Sequence, residues 1–221
     1  MYNLDGSEGK MCGNGIRCVG KFLYDHGMVD INEKDEITIE TLSCIKKLKA
    51  YTSGGKVNRL RVDMGKAILE PKEIPVVLDG DKVVDRPVEI AGKNYNITCV
   101  SMGNPHCVVF MDDIDNLDIE TIGPEFENDK LFPERVNTEF VTVLDDHTIK
   151  MRVWERGSGE TWACGTGACA VAVAACENGF CKKGEDIKIK LKGGDLIINY
   201  TDETVYMTGN AEKVFEGEVE V

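Results

Sequence analysis

The sequence lacks the features that would place it in a membrane, on nucleic acid or outside the cell. It has no run of about 18 apolar residues, so it predicts no transmembrane helix. It does not open with a charged segment followed by an apolar one, and we therefore expect a cytoplasmic protein. Basic residues are in deficit: 26 against 39 acidic residues give a net charge of −13. Such a charge repels phosphate backbones, so we expect no nucleic-acid partner and no membrane partner.

A disulfide framework and a zinc site are also not indicated. The nine cysteines lie at positions 12, 18, 44, 99, 107, 164, 169, 176 and 181, an odd number without any Cys-x-x-Cys pair. This pattern favours free thiols in a reducing compartment, and buried cysteines acting as small apolar residues account for most of them. We therefore expect no metal. The 221 residues, 42% of them hydrophobic, suffice for one large domain or two small ones.

Hydrophobic spacing predicts a mixed α and β protein. Apolar residues at 16, 19, 22 and 23 predict a helix over 16–26 that Gly27 ends, and the small apolar run 168–176 predicts a buried helix that Gly179 ends. A short helix is expected over 119–128, a linker over 71–75 and a glycine-rich loop over 155–160. Alternation predicts strands over 36–41, 45–51, 60–65, 83–88, 95–108, 138–144, 148–154, 187–191, 196–200 and 204–208.

One short pattern occurs twice. Residues 11–15 read Met-Cys-Gly-Asn-Gly and residues 163–167 read Ala-Cys-Gly-Thr-Gly, each directly before a predicted helix. The distance from the cysteine to the glycine that ends the helix is 15 positions in both copies. The repeat predicts two halves related by pseudo-twofold symmetry, with the two helix N-termini converging on a cleft between them.

Two cysteines at helix N-termini suggest acid/base chemistry on one carbon. A helix N-terminus lowers the pKa of a thiol, and two opposed thiols can remove a proton from one face of a carbon and return one to the other. Free backbone N–H groups at both helix starts, on residues 13–15 and 165–167, could hold a carboxylate beside that carbon. This scheme requires no cofactor. A single copy of the pattern would more often be a buried cysteine beside a turn.

The chain resembles the diaminopimelate epimerase family in five motifs that follow one another in the family's order. The motifs are Asn-Leu-Asp-Gly-Ser at 3–7 running into Met-Cys-Gly-Asn-Gly-Ile-Arg-Cys at 11–18, Gly-Asn-Pro-His at 103–106, Val-Asn-Thr-Glu-Phe at 136–140, Trp-Glu-Arg-Gly at 154–157 running into Ala-Cys-Gly-Thr-Gly at 163–167, and Met-Thr-Gly at 207–209. They span nearly the whole chain and are together highly specific.

The resemblance implies a set of site residues. It implies that Cys12 and Cys164 are the acid/base pair of a cofactor-independent epimerisation of LL-2,6-diaminopimelate to the meso isomer, a step of lysine and peptidoglycan-precursor synthesis. Gly13, Asn14, Gly165 and Thr166 would bind the carboxylate at the reacting centre. Asn3, Asn104, Asn137 and Arg156 would bind the distant end of the substrate, with Glu155 on an ammonium group. His106 and Glu155 would tune the thiol pKa values.

The resemblance also implies the architecture. Each of two pseudo-symmetric α+β domains would be a curved, mostly antiparallel sheet or barrel around a central helix. The expected division is 1–62, completed by 210–221, and 63–209. The family has a further N-terminal segment with a Gly-Asn-Asp-Phe sequence that is not found here, so the first domain is expected to be incomplete. A homodimer is expected, with Phe215 at a position that is often tyrosine at a dimer contact.

Other functions stay open at this point. A proline or hydroxyproline racemase would also use paired cysteines, although the asparagines and Arg156 favour a substrate with a second polar end. Two further alternatives are a truncated relic that only binds its ligand and a metal-binding protein.

Overall fold

The computed structural model describes residues 12–31, 35–42 and 45–218. Three α-helices lie in these ranges: α1 (Gly13–Asp25), α2 (Ile119–Glu127) and α3 (Gly165–Glu177). The strands there are β1 (Glu36–Glu40), β2 (Ile45–Ser53), β3 (Lys56–Gly65), β4 (Arg86–Ile90), β5 (Lys93–Ser101), β6 (Pro105–Phe110), β7 (Asn137–Asp145), β8 (Thr148–Glu155), β9 (Gly159–Thr161), β10 (Asp186–Leu191), β11 (Gly194–Tyr200) and β12 (Val205–Asn210). None of the described helices is long and apolar enough to cross a membrane.

The strands form one continuous sheet in the order β1-β2-β3-β12-β11-β10-β8-β7-β6-β5-β4, and β9 pairs with β8. Neighbours are antiparallel except for β8 with β10 and β6 with β7, which are parallel. The mixed α and β fold with a large, mostly antiparallel sheet confirms the expected fold class. The sheet joins the two repeats where β3 pairs with β12.

The two helices of the repeat have the same length and the same ends. Each has 13 residues, begins after a cysteine N-cap and is followed by a glycine with positive φ, Gly27 at 65° and Gly179 at 78°. A glycine there lets the chain reverse while the next N–H bonds back to the last turn, as Met28 does to Leu23 O and Phe180 to Ala175 O, both at 2.9 Å. The helix ends predicted from the glycines are therefore confirmed.

The two helices differ in burial. On α3, ten residues between Gly165 and Ala175 are buried, so the helix is enclosed on all sides. On α1, the buried residues are Gly13, Ile16, Arg17 and Gly20, while Val19 and Phe22 are exposed. The composition explains the difference, since α3 is small and apolar all round whereas α1 is amphipathic.

Two strand predictions need correction. The strand predicted over 83–88 begins later, as β4 (Arg86–Ile90). The run 95–108 is a hairpin of β5 and β6, turned at Gly103, whose φ is 93°. In β2 the inward residues are Lys46, Leu48 and Ala50, and Ile45 is exposed. Pairing with β3 fixes this register, and Lys46 Nζ donates to Asp63 O at 3.1 Å.

The packing of α2 on β8 yields a test of stability. A Cβ on Gly123 would lie 2.3–2.7 Å from three ring atoms of Trp154, closer than real contacts allow. Gly123→Ala should therefore lower the free energy of unfolding by about 1–3 kcal/mol in urea denaturation, despite the better helix propensity of alanine. Glu125→Ala, an exposed change on the same helix, is the control and should change stability little. Equal stability of both variants would contradict this packing.

Candidate active site

The two cysteines of the repeat are the N-caps of α1 and α3. Cys12 Sγ accepts the Gly15 N–H and Cys164 Sγ accepts the Gly167 N–H, each at 3.3 Å. Both cysteines have an extended backbone, with φ and ψ of −128° and 117° for Cys12 and −113° and 112° for Cys164. The cysteines thus take the place that serine or aspartate usually has at a helix start. Each sulfur is directed at the positive end of its helix.

The two helix starts are in contact. A Cβ on Gly165 would lie 3.4 Å from Gly13 Cα, and one on Gly13 would lie 3.5 Å from Gly165 Cα. Met207 of β12 lines the contact. A Cβ on Gly13 would lie 3.0 Å from Met207 Cε, and a Cβ on Gly165 would lie 3.1 Å from Met207 Sδ. Glycine at both positions therefore allows the two backbones to approach, which brings the two thiol-bearing turns together as the repeat predicts.

A side-chain network holds the contact. Asn14 Nδ2 donates to Ala163 O of the other repeat at 3.1 Å. The buried guanidinium of Arg17 donates to Asn14 Oδ1 at 3.1 Å, to Gly13 O at 3.0 Å and to Asn210 O at 3.3 Å. Burial lowers the pKa of Arg17, but a guanidinium stays charged. Arg17 thus fixes the Asn14 side chain across the contact.

A chain of hydrogen bonds leads from a buried carboxyl group to Cys164. His106 Nδ1 lies 2.7 Å from Glu139 Oε1, and His106 Nε2 lies 3.1 Å from Asn104 Oδ1. Asn104 Nδ2 donates to Thr166 Oγ1 at 3.3 Å, and Thr166 Oγ1 lies 3.5 Å from Cys164 Sγ. His106 and Glu139 are fully buried. The β5–β6 turn positions Asn104 and His106, so the hairpin is what brings this motif to the start of α3.

Electrostatics at Cys164 differ from the expectation for a helix N-terminus. Burial raises the pKa of the Cys164 thiol well above its usual range, and the carboxylates of Glu155 and Glu139 raise it further. The hydrogen bonds from Thr166 and Gly167 act in the opposite direction. Burial also raises the pKa of Glu139, which His106 opposes. Cys164 is therefore held as a thiol, because burial and two acids outweigh the helix dipole.

The end of β8 carries Glu155 and Arg156 into a tight turn. Arg156 N–H donates to Asn137 Oδ1 at 3.0 Å, and Asn137 Nδ2 donates to Pro105 O at 2.8 Å. Arg156 Nη1 donates to Glu134 O at 2.8 Å, and Glu155 accepts a hydrogen bond from Thr161 Oγ1. Asn137 thus links the turn to the strand that carries His106.

The structure gathers most of the predicted site residues around the helix contact. Those at the contact or linked to it by hydrogen bonds are Cys12, Gly13, Asn14, Asn104, His106, Cys164, Gly165 and Thr166. Glu155 acts on Cys164 through its charge, whereas Asn137 and Arg156 form the neighbouring group at the turn. The predicted binding residue Asn3 lies outside the described residues.

The motifs gave no role to three residues that the structure connects to the site. Arg17 and Glu139 lie within quoted motifs, and Glu127 lies in none. The signal for Glu139 is a single charged residue within 137–144, where the other side chains are apolar or uncharged, which indicates a buried partner. Within the ranges that the structure describes, no group of three His, Cys, Asp or Glu residues could hold a metal ion.

Comparison with known proteins gives a family match. The family model described as "Diaminopimelate epimerase" matches residues 1–70 and 98–214. A protein named diaminopimelate epimerase from Agathobacter rectalis is 51% identical over 230 residues, covering 100% of this chain and 79% of that protein. One of the same name from Acetivibrio thermocellus is 53% identical over 223 residues, covering 100% of this chain and 78% of that protein.

Solved structures share the fold at low identity. A probable proline racemase from Agrobacterium radiobacter superimposes with a TM-score of 0.71 at 16% identity, covering 94% of this chain and 67% of that one. A phenazine biosynthesis protein of the PhzF family from Bacillus anthracis gives a TM-score of 0.68 at 18% identity, covering 98% of this chain and 78% of that one. At this identity the likeness concerns the fold alone.

The charge of Glu155 should have a measurable effect on the pKa of the Cys164 thiol. Glu155→Gln removes a negative charge that raises the pKa of the thiol, so the pH dependence of Cys164 alkylation should move to lower pH. At a fixed pH below the thiol pKa the alkylation rate should therefore rise, because a larger fraction of Cys164 is thiolate. Iodoacetamide labelling read out on the Cys164 peptide by mass spectrometry measures this. The exposed Glu125→Gln serves as control, and an unchanged profile in Glu155→Gln would refute the assignment.

Proposed function

The chain belongs to the diaminopimelate epimerase family, and from this premise we propose that it interconverts LL- and meso-2,6-diaminopimelate with Cys12 and Cys164 as its two acid/base groups. As a member of the family it is an amino-acid epimerase, an isomerase. The observation that carries the proposal is the contact of two cysteine-capped helix starts at Gly13 and Gly165. Two such thiols can face opposite sides of one carbon.

The proposed reaction moves one proton in and one proton out. The cysteine that starts as thiolate removes the hydrogen from the α-carbon and becomes a thiol, leaving a carbanion beside the carboxylate. The other cysteine gives its proton to the opposite face and becomes a thiolate. The two cysteines thus exchange protonation states in each turnover. Because burial and the neighbouring acids raise the pKa of Cys164, we assign the first proton donation to Cys164.

The carbanion needs a concentrated positive field. The first N–H groups of a helix have no partner within the helix, and both helix dipoles have their positive ends here. We assign Gly13, Asn14, Gly165 and Thr166 to the carboxylate at the reacting centre. Donors already aimed at that carboxylate would stabilise the charge as it spreads from the carbon. The scheme uses no cofactor and no metal.

The distant end of the substrate is assigned to the polar group at the β8 turn. We propose that Asn104, Asn137, Arg156 and Asn3 bind it, with Glu155 on an ammonium group. A guanidinium pairs a carboxylate with two parallel hydrogen bonds. In the described hydrogen bonds, the guanidinium of Arg156 uses only Nη1, which donates to Glu134 O. These groups favour diaminopimelate over proline or hydroxyproline, which have no second amino-acid end.

Substitution of the two cysteines tests the mechanism. Cys12→Ser and Cys164→Ser should each lower the epimerisation rate by about 10²–10⁴-fold, because serine is a much weaker acid and base at this pH. Deuterium incorporation at the α-carbon in D₂O measures proton exchange directly. Cys18→Ser makes the same change at an exposed position of α1 and should leave the rate unchanged.

Three outcomes of these assays would count against the proposal. If the unmodified protein exchanged no α-hydrogen of diaminopimelate, the proposed activity would be refuted. Preferential exchange on proline would favour the racemase instead. Ligand binding that persists in both cysteine variants, with no turnover in the unmodified protein, would favour a protein that only binds.

We further propose a cytoplasmic homodimer. Val214 and Phe215 support a surface contact near the end of the described chain, since they are 87% and 83% exposed. Sedimentation equilibrium should give twice the monomer mass of 24.4 kDa, and Phe215→Asp should shift the population toward monomer. A monomer at micromolar concentration would refute the dimer.

The division into 1–62 with 210–221, and 63–209, is likewise our proposal. Its two boundaries fall within β3 and β12, which pair with each other, so the two units would join along these strands.

A further inference from the structure

Glu127 is a buried carboxylate with no place in the proposed chemistry. It is the last residue of α2, and its side chain is only 8% exposed. Its Oε1 accepts the Gly157 N–H at 2.9 Å and Arg135 Nη1 at 3.1 Å, and its Oε2 accepts Trp154 Nε1 at 2.7 Å. All three partners are therefore donors.

Only a carboxylate satisfies this set. An ionised glutamate accepts at both oxygens and carries no donor. A glutamine of the same shape accepts at one atom and presents N–H bonds at the other, so an N–H group would face either the indole of Trp154 or the turn at Gly157. The ion pair alone does not explain the burial, since the Arg135 side chain is half exposed. Burying a charge is costly, and here the cost is offset by hydrogen bonds to the turn.

The turn that Glu127 holds is the one that carries Arg156. Three successive N–H groups of this turn are engaged: Arg156 to Asn137 Oδ1 at 3.0 Å, Gly157 to Glu127 Oε1 at 2.9 Å, and Ser158 to Glu155 O at 2.9 Å. Gly157 has a φ of 74°, a conformation that favours glycine. The peptide planes on either side of Arg156 are thus fixed by two side chains and one backbone bond.

Trp154 extends this anchoring to α2. Its indole N–H shares the Glu127 carboxylate with the turn, and its ring packs on Gly123 of α2 and near Gly159 at the start of β9. The end of α2, the end of β8 and the turn therefore form one rigid unit. The cysteines lie outside it, at the starts of α1 and α3, where other contacts hold them.

We propose that Glu127 is a positioning residue that sets substrate affinity by holding the turn that carries Arg156, an inference that rests on the proposed function of Arg156. Its effect falls on binding more than on proton transfer, because Glu127 contacts neither helix start among the described residues. A preferential effect on KM distinguishes Glu127 from a residue that only stabilises the fold.

The test compares kinetics of matched variants with LL-diaminopimelate. Glu127→Gln should raise KM about tenfold and change kcat less than about threefold, since the turn loses its acceptor while the cysteines stay in place. Glu127→Asp keeps the charge and the pair with Arg135 but is one methylene shorter. Its KM should therefore fall between that of the unmodified protein and that of Glu127→Gln. Glu125→Gln, an exposed residue of α2, should leave both constants unchanged.

A second readout is independent of turnover. The chain has two tryptophans, Trp154 and Trp162, so two indole N–H signals can be assigned by ¹⁵N NMR with Trp162→Phe. The Trp154 signal should move upfield in Glu127→Gln as its bond to a charged acceptor is lost. If the unmodified protein does not turn over diaminopimelate, the proposed function fails while this signal still reports whether Glu127 anchors the unit.

Two results would overturn the positioning role. One is an unchanged KM in Glu127→Gln although the indole signal has moved. The other is a loss of kcat with KM constant, which would place Glu127 in the proton-transfer step. If Glu127→Gln fails to fold, Glu127→Asp decides by the same ratio of KM to kcat.

Discussion

The site depends on the contact of two helix N-termini at Gly13 and Gly165. Two positive dipole ends repel each other, and backbones come this close only where neither residue has a Cβ. The structure offsets the repulsion with one acceptor at each end, namely the cysteine sulfur that accepts the Gly15 or the Gly167 N–H. The remaining positive field favours an anion between the helices. In the proposed function, a substrate carboxylate would supply this anion.

The two halves of this arrangement are chemically unequal. Cys164 lies at the start of an enclosed helix, next to two acids and at the end of a hydrogen-bonded chain from Glu139 through His106. Cys12 lies at the start of an amphipathic helix, next to the guanidinium network of Arg17. A two-base reaction needs one group protonated while the other is not. Unequal surroundings for equal residues are one way to provide that difference.

The sequence predicted the parts of the molecule that depend on local patterns. The two cysteine-capped helices, their glycine ends and most strands follow from spacing alone, and the repeat predicted that the helix starts meet. What it missed depends on distant contacts. The inward position of Lys46 is decided by pairing with β3, and the raised pKa of Cys164 by acids from β7 and β8. Glu127 belongs to no motif, and only its three donors reveal its role.

The pairing of β3 with β12 has a consequence for how the protein forms. Asn14 and Ala163, which bond across the helix contact, are 149 positions apart, and the strand that flanks the contact, β12, is later still. Contacts so distant in sequence form late, because a long stretch of chain must be ordered first. During synthesis the first cysteine therefore emerges long before its counterpart exists. A ribosome-bound fragment that ends before residue 164 thus has one thiol of the pair without the other, and the site can be assembled only after α3 and β12 have been synthesised.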